Sequence, residues 1–139
     1  MKIKLPNSAN LQNVTGFLRA ISECENTSRF DLELHPRWVA VHPAVLALTA
    51  CAAARVMHSG GVFNGNVPDI PTLPYLLRMK LFDHIQLSPP KQIIEHEEAG
   101  RFIPLTQIKT ADDLRNAIAN LVPLLHAPAE VADPYFLKW

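Results

Sequence analysis

Apolar and polar residues alternate at the start of the chain, where Ile3 and Leu5 are interleaved with Lys2 and Lys4. A period of two is that of a half-buried strand, and Pro6, which has no N–H to donate, ends its pairing. From Leu11 the period lengthens. Leu11, Val14, Phe17, Leu18 and Ile21 recur at three and four residues, which predicts a helix ending near Asn26-Thr27, with Ser8 or Asn10 as its cap. Alternation returns as Phe30, Leu32 and Leu34 set against Asp31, Glu33 and His35, and after Pro36 comes a second β-rich stretch, Trp38–Val41. One strand with a bulge and a hairpin both fit this pair.

Pro43 suits a first helical turn, where its missing N–H would have no intrahelical partner. The helix it opens, Ala44 to about His58, is rich in Ala and Leu, stops at Gly60-Gly61, and has side chains small enough to lie close against a sheet. Val62-Phe63 and Val67 predict a short third strand broken by Asn64-Gly65, followed by a loop with Pro68, Pro71 and Pro74. Leu73, Leu76, Leu77, Met79, Leu81, Phe82 and Ile85 predict one helix from Leu73 to Ile85, which Pro89-Pro90 closes. After Ile93-Ile94 and the polar turn Glu95–Gly100, the segment Phe102–Ile108 is compatible with a strand containing or bounded by Pro104.

The clearest helix is the last, Thr110 to His126. Thr110 caps it and Asp113 places acidic charge at the positive end of the helix dipole. Leu114, Ile118, Leu121, Val122 and Leu125 form its apolar stripe, Asp112, Arg115 and Asn116 face water, and Pro123 kinks or shortens it. Alternating strands and helices of this kind predict a small α/β layer fold. With no internal repeat or linker to divide it, the chain reads as a single domain over residues 1–139, with 127–139 as a C-terminal tail.

Composition narrows the functional classes. Hydrophobic residues make up 48% and charged residues 19% of a 139-residue chain, the balance of a domain able to bury its own core. Thirteen basic residues offset thirteen acidic ones and neither Lys nor Arg forms a run, so no field gathers nucleic acid. Cys24 and Cys51 both lie in apolar-periodic segments and read as buried free thiols of a reducing cytoplasm. Met1–Pro6 has a basic start but no apolar run long enough for a signal peptide before the polar residues Asn7–Asn10, so none is expected. The most membrane-like region, Trp38–Met57, holds His42, Pro43 and Arg55 and reads as a strand and a buried helix, so no membrane partner is expected.

Three segments carry a family resemblance. Residues 30–60 look like the strand, turn and Ala/Leu-rich helix of the STAS-like domains, named for sulphate transporters and anti-sigma-factor antagonists. Tyr75-Leu76-Leu77-Arg78-Met79-Lys80-Leu81-Phe82 resembles the YL-x-RM-x-(F/L)F helix of the STAS-like segments that precede histidine-kinase-type ATPase domains in some bacterial proteins. Phe102-Ile103-Pro104-Leu105 with the helix after it resembles the approach to the ATPase domain, so the likeness covers roughly residues 1–130. It implies a sheet with a single layer of helices mainly on one face. The segment that in such ATPases carries a Glu and an Asn for magnesium and nucleotide has no counterpart before Trp139, so hydrolysis and phosphotransfer are not carried over. STAS antagonists also resemble one another in a phosphorylatable Ser or Thr at the start of the helix after the strand. Here that turn reads Val41-His42-Pro43-Ala44, with Thr49 the nearest hydroxyl in the helix.

No constellation of catalytic residues stands out. Glu95-His96-Glu97-Glu98 is dense in potential ligands, but adjacent side chains splay apart where a metal needs converging lone pairs, and a solvated turn is the simpler reading. Gly60-Gly61 and Gly65 are too sparse to cradle a phosphate. Tyr135, Phe136 and Trp139 near the end of the sequence either fold back on the core or meet a partner, since leaving them wet forfeits roughly 1.5–3 kcal/mol each. The expectation is a non-catalytic, STAS-like, regulatory interaction module of the cytoplasm, without cofactor or metal, that binds a partner protein or its own copy as a homo-oligomer. Its contact residues would be His42, Pro43, Ala44, Tyr75, Arg78 and Trp139. The alternative is a small-molecule-binding protein or minor enzyme, with His35, His42, His84 or His96 converging in a pocket between sheet and helices.

Overall fold

Ile3, Leu32 and Gly65 lie side by side across three strands, and Phe30 lies beside Phe63. The computed structural model of the chain, which describes residues 2–8, 10–23, 28–37, 40–92 and 102–125, is a mixed α/β structure. Its sheet is parallel, in the order β1 (Lys2–Lys4), β2 (Arg29–Glu33), β3 (Val62–Asn66). Alternation puts Ile3, Leu5, Phe30, Leu32, Leu34 and Phe63 on one face, all buried, and the Phe30 and Phe63 rings stack with centroids 4.7 Å apart. Lys2, Lys4, Arg29, Glu33 and Asn66 are exposed on the other face, where Arg29 pairs with Asp31 at 3.1 Å.

Helices α1 (Thr15–Ser22) and α2 (Pro43–His58) connect the strands. Parallel crossovers are right-handed, so two that step in the same direction leave their helices on the same face. There α1 touches β1 and α2, while α2 touches β2 and β3. Helices α1 and α2 thus pack together on the sheet, and the mixed α/β class is as expected. The core is Val14, Phe17 and Ile21 over β1, with Val45, Leu46, Ala52, Ala53 and Val56 of α2 over the middle of the sheet.

Local chemistry sets the element ends. Asn10 Oδ1 accepts from the Gln12 N–H at 2.9 Å and starts a 3-10 turn, Leu11–Val14, that leads into α1. At the far end of α2, Gly60 takes a φ of +76°, a conformation that costs glycine nothing, and its N–H donates to the Met57 carbonyl.

Four expectations are corrected. The third strand is not broken at Asn64-Gly65 but runs through both, because Gly65 lets the backbones approach: a Cβ there would sit 2.9 Å from Leu87 Cδ1 and 3.0 Å from the Leu32 carbonyl. The helix expected from Leu73 to Ile85 is two, α3 (Leu73–Arg78) and α4 (Leu81–His84), separated by Lys80 in a left-handed conformation with φ 56°. Leu73, Leu76, Met79, Leu81 and Ile85 are all buried. At 100° per residue they would span about 240° of an unbroken helix, and the break turns both groups inward. Residues 102–109 form no strand; Pro104 has no N–H to give, and its carbonyl is taken by the Thr106 hydroxyl at 3.0 Å. Cys51 is exposed rather than buried, since α2 turns Val45, Thr49, Ala52 and Val56 inward and Cys51 lies on the opposite side.

The chain divides into two compact units, residues 1–94 and 95–139. Within the second, α5 (Ala111–Leu121) ends in a 3-10 turn, Val122–Leu125, that contains Pro123. Cys24, the helix end at Asn26-Thr27, Trp38-Val39, Ile93–Arg101 with its Glu95–Glu98 cluster, His126 and the tail 127–139 lie outside the described residues.

Candidate functional site

Open parallel sheets bind ligands and partners beyond the carboxyl ends of their strands. Here β2 runs out through His35 into the turn that reaches α2. The direction of the chain is preserved: Ser8 and Val41 form an isolated parallel bridge, so the stretch expected as a hairpin or a bulged strand resumes alongside the end of β1 instead of doubling back. Asn7 holds this connection. Its Oδ1 accepts from the Ala40 N–H at 3.1 Å and its Nδ2 donates to the Arg37 carbonyl at 3.4 Å. In the sequence Asn7 looks like part of a polar spacer, and only its position one residue beyond a strand-ending proline hints at a cap.

Two histidines work on the same backbone. His35 Nδ1 accepts from the Arg37 N–H at 3.0 Å, and His42 Nδ1 accepts from the Ala44 N–H at 3.1 Å. His42 is the N-cap of α2, in extended conformation, and its imidazole does the work of the usual Ser, Thr, Asn or Asp. With Pro43 at the first helical position, His42, Pro43 and Ala44 form one rigid turn.

From that turn α2 presents an unusual outer face. Pro43, Ala47, Cys51 and Ala54 are exposed and Ala44 and Leu48 half-buried, so about three turns pass before Arg55 and His58 bring charge or polarity to the surface. An apolar helix of this composition is normally covered on all sides. Thr49 points the other way. It is fully buried and its hydroxyl donates to the Val45 carbonyl at 2.7 Å, which takes the nearest hydroxyl away from any modifying enzyme.

The remaining site candidates lie elsewhere. Tyr75 and Arg78 are on α3, which packs on α4, with Arg78 exposed and Tyr75 half-buried, where burial raises the phenol above its usual pKa. Trp139 lies outside the described residues. The structure therefore joins His42, Pro43 and Ala44 in one turn, while Tyr75 and Arg78 belong to α3. Nor do the described histidines form one site: His35 and His42 are committed to backbone turns, His58 is exposed at the end of α2, and His84 is half-buried in α4. Among the described residues no group of three or more His, Cys, Asp or Glu side chains could hold a metal ion. No helix among them is long and apolar enough to cross a membrane.

A groove of about 320 Å³ lies at the β1 edge of the sheet, between β1 and α1. It is lined by Lys2, Ile3, Lys4, Leu5 and Pro6 from the strand side and by Gly16, Phe17 and Ala20 from the helix. None of the described histidines borders it. Sequence periodicity places Ile3, Leu5 and Phe17 in the core but does not show that Gly16 and Ala20 open a channel beside them.

Comparison with known protein families, curated proteins and solved structures finds no match to this chain.

Proposed function

We propose that the protein is a non-catalytic, STAS-like regulatory module of the bacterial cytoplasm, which binds a partner protein or a second copy of itself through the exposed face of α2. The observation that supports this reading is the uncharged surface running from Pro43 to Ala54, anchored at one end by the His42–Ala44 turn. Small side chains let another helix or sheet approach closely, and the absence of charge spares a partner the cost of desolvating ions. Regulation would come from occupying a partner's surface. The turn His42-Pro43-Ala44 carries no hydroxyl and Thr49 is buried, so phosphorylation at this helix is not part of the proposal.

The test is association that depends on this face. Light scattering across a concentration series is expected to show a dimer, or the immobilised protein to retain a specific partner, and Ala47→Glu to weaken that association at least about tenfold with far-UV circular dichroism unchanged. A protein that stays monomeric and retains nothing that the Ala47→Glu variant fails to retain would sink the reading.

A further inference from the structure

Among the described residues nothing requires glycine at position 16. Its φ is not left-handed, and a Cβ added to it would meet nothing within 4 Å. Gly60 needs its positive φ and Gly65 its close approach, but Gly16 sits in a helix, where glycine is a poor choice without a packing reason. What its missing side chain leaves open is the groove beside β1.

That groove runs along a sheet edge that no other described strand covers. β1 is the outer strand, and among the described residues its only strand partner is β2. The Leu5 N–H donates to the Glu33 carbonyl at 3.1 Å, so Ile3 and Leu5 turn their backbone groups toward β2. Backbone groups alternate along a strand, and those of Lys2 and Lys4 therefore turn to the open edge. The Lys2 and Lys4 side chains are exposed on the polar face of the sheet, while Ile3, Leu5 and Phe17 provide an apolar wall on the groove side.

We infer that the outer edge of β1 is a docking site for an extended acidic peptide segment of another protein, which adds a strand to the sheet and lays its apolar residues in the groove beside Gly16. The chain already displays the complementary pattern on the inner edge: Lys2 lies opposite Asp31, Ile3 opposite Leu32 and Lys4 opposite Glu33. A segment of alternating acidic and apolar residues repeats that pairing on the outer side, its carboxylates spaced about 6.6 Å apart to match the two lysines. Strand addition of this kind gains affinity from main-chain hydrogen bonds and specificity from alternate side chains. A second copy of β1 is the wrong occupant, because its lysines would face these lysines; lysine on an edge strand deters such self-pairing. Pro6 limits the edge to the donors of Lys2 and Lys4, so the docked stretch is short.

The probe is a short fluorescein-labelled peptide alternating glutamate with valine, compared with its lysine-for-glutamate counterpart by fluorescence anisotropy on the full chain. The glutamate peptide is expected to bind, to slow amide exchange at Lys4, and to compete poorly as salt rises. Lys2→Glu with Lys4→Glu should weaken it at least about tenfold and transfer preference to the lysine peptide. Gly16→Leu, which adds bulk to the helix wall of the groove, should weaken binding at least about tenfold while Gly16→Ala, the fold control, binds nearly as the parent does. Equal binding of the two peptides, binding indifferent to Gly16→Leu, or no binding of the glutamate peptide would overturn the inference. Ala47→Glu on α2 should leave peptide binding unchanged, so this site and the one proposed on α2 stand or fall separately.

Discussion

Helices α2 and α5 are made by different means. α2 has sixteen residues, buries Val45, Leu46, Thr49, Ala52, Ala53 and Val56, and has no acidic residue in its first turn. α5 has eleven, buries none, and begins with Asp112 and Asp113 under a reciprocal cap: Thr110 Oγ1 accepts from the Asp113 N–H at 3.1 Å, and the Asp113 carboxylate accepts from the Thr110 N–H at 3.0 Å. α2 is held by what it covers, and α5 draws visibly on its own end chemistry. A short helix with no buried side chain is marginal unless local terms support it. The surfaces differ accordingly. α5 shows Asp112 and Arg115 to water, joined at 2.7 Å, whereas α2 shows alanines and a thiol.

The contrast is broken most forcefully from inside α2. Leu46→Ala, at a side chain with no exposure, should lower unfolding stability by about 3 kcal/mol, measured in denaturant, while the exchange protection of the α5 amides that depends on Thr110 persists. Thr110→Ala should cost about 1 kcal/mol, read as faster exchange of the α5 amides, with α2 unaffected. Acid tests the same cap. Hydrogen bonds from the Lys109 N–H and then from the Thr110 N–H and hydroxyl hold the Asp113 carboxyl below its usual pKa. Because the folded value is the lower, the stabilisation is complete above the ordinary aspartate range and disappears as pH falls through the folded value. α5 helicity, followed by NMR, should decline on that acid limb, and Asp113→Asn should flatten it. The smallest effect sharpens the picture at α1. Gly16→Ala should raise stability by about 0.5 kcal/mol, since nothing opposes the added methyl.

Much of this architecture is legible in the sequence because the deciding forces are local. Lys2–Leu5 and Phe30–Leu34 announce their strands by alternation, Pro43 and Gly60 bound α2, and Thr110 with Asp113 marks the start of α5. Where the expectations fail, tertiary geometry decides. Nothing in Met79-Lys80 foretells a left-handed lysine; the break serves burial of Leu81 and Ile85. Gly65 reads as a strand breaker until Leu87 and the Leu32 carbonyl are seen against it. The orientation of Cys51 is hidden for the opposite reason: a helix apolar on every side gives no amphipathic cue to which side faces in. At the candidate site the turn His42–Ala44 is visible from Pro43, but the groove beside Gly16 depends on the approach of α1 to β1 and has no sequence period of its own.

The cap on α2 also fixes the chemistry of its histidine. While Nδ1 of His42 receives the Ala44 N–H, that nitrogen carries no proton, and a neutral ring must therefore carry its hydrogen on Nε2. The free edge of the ring is then a hydrogen-bond donor. To bind a metal through Nε2 or to take a proton there as a base, the ring would first have to move its hydrogen to Nδ1 and release the helix. As long as α2 keeps its cap, His42 addresses an approaching surface by donating to a carbonyl or carboxylate, so a partner that recognises this turn should bring an acceptor to meet it.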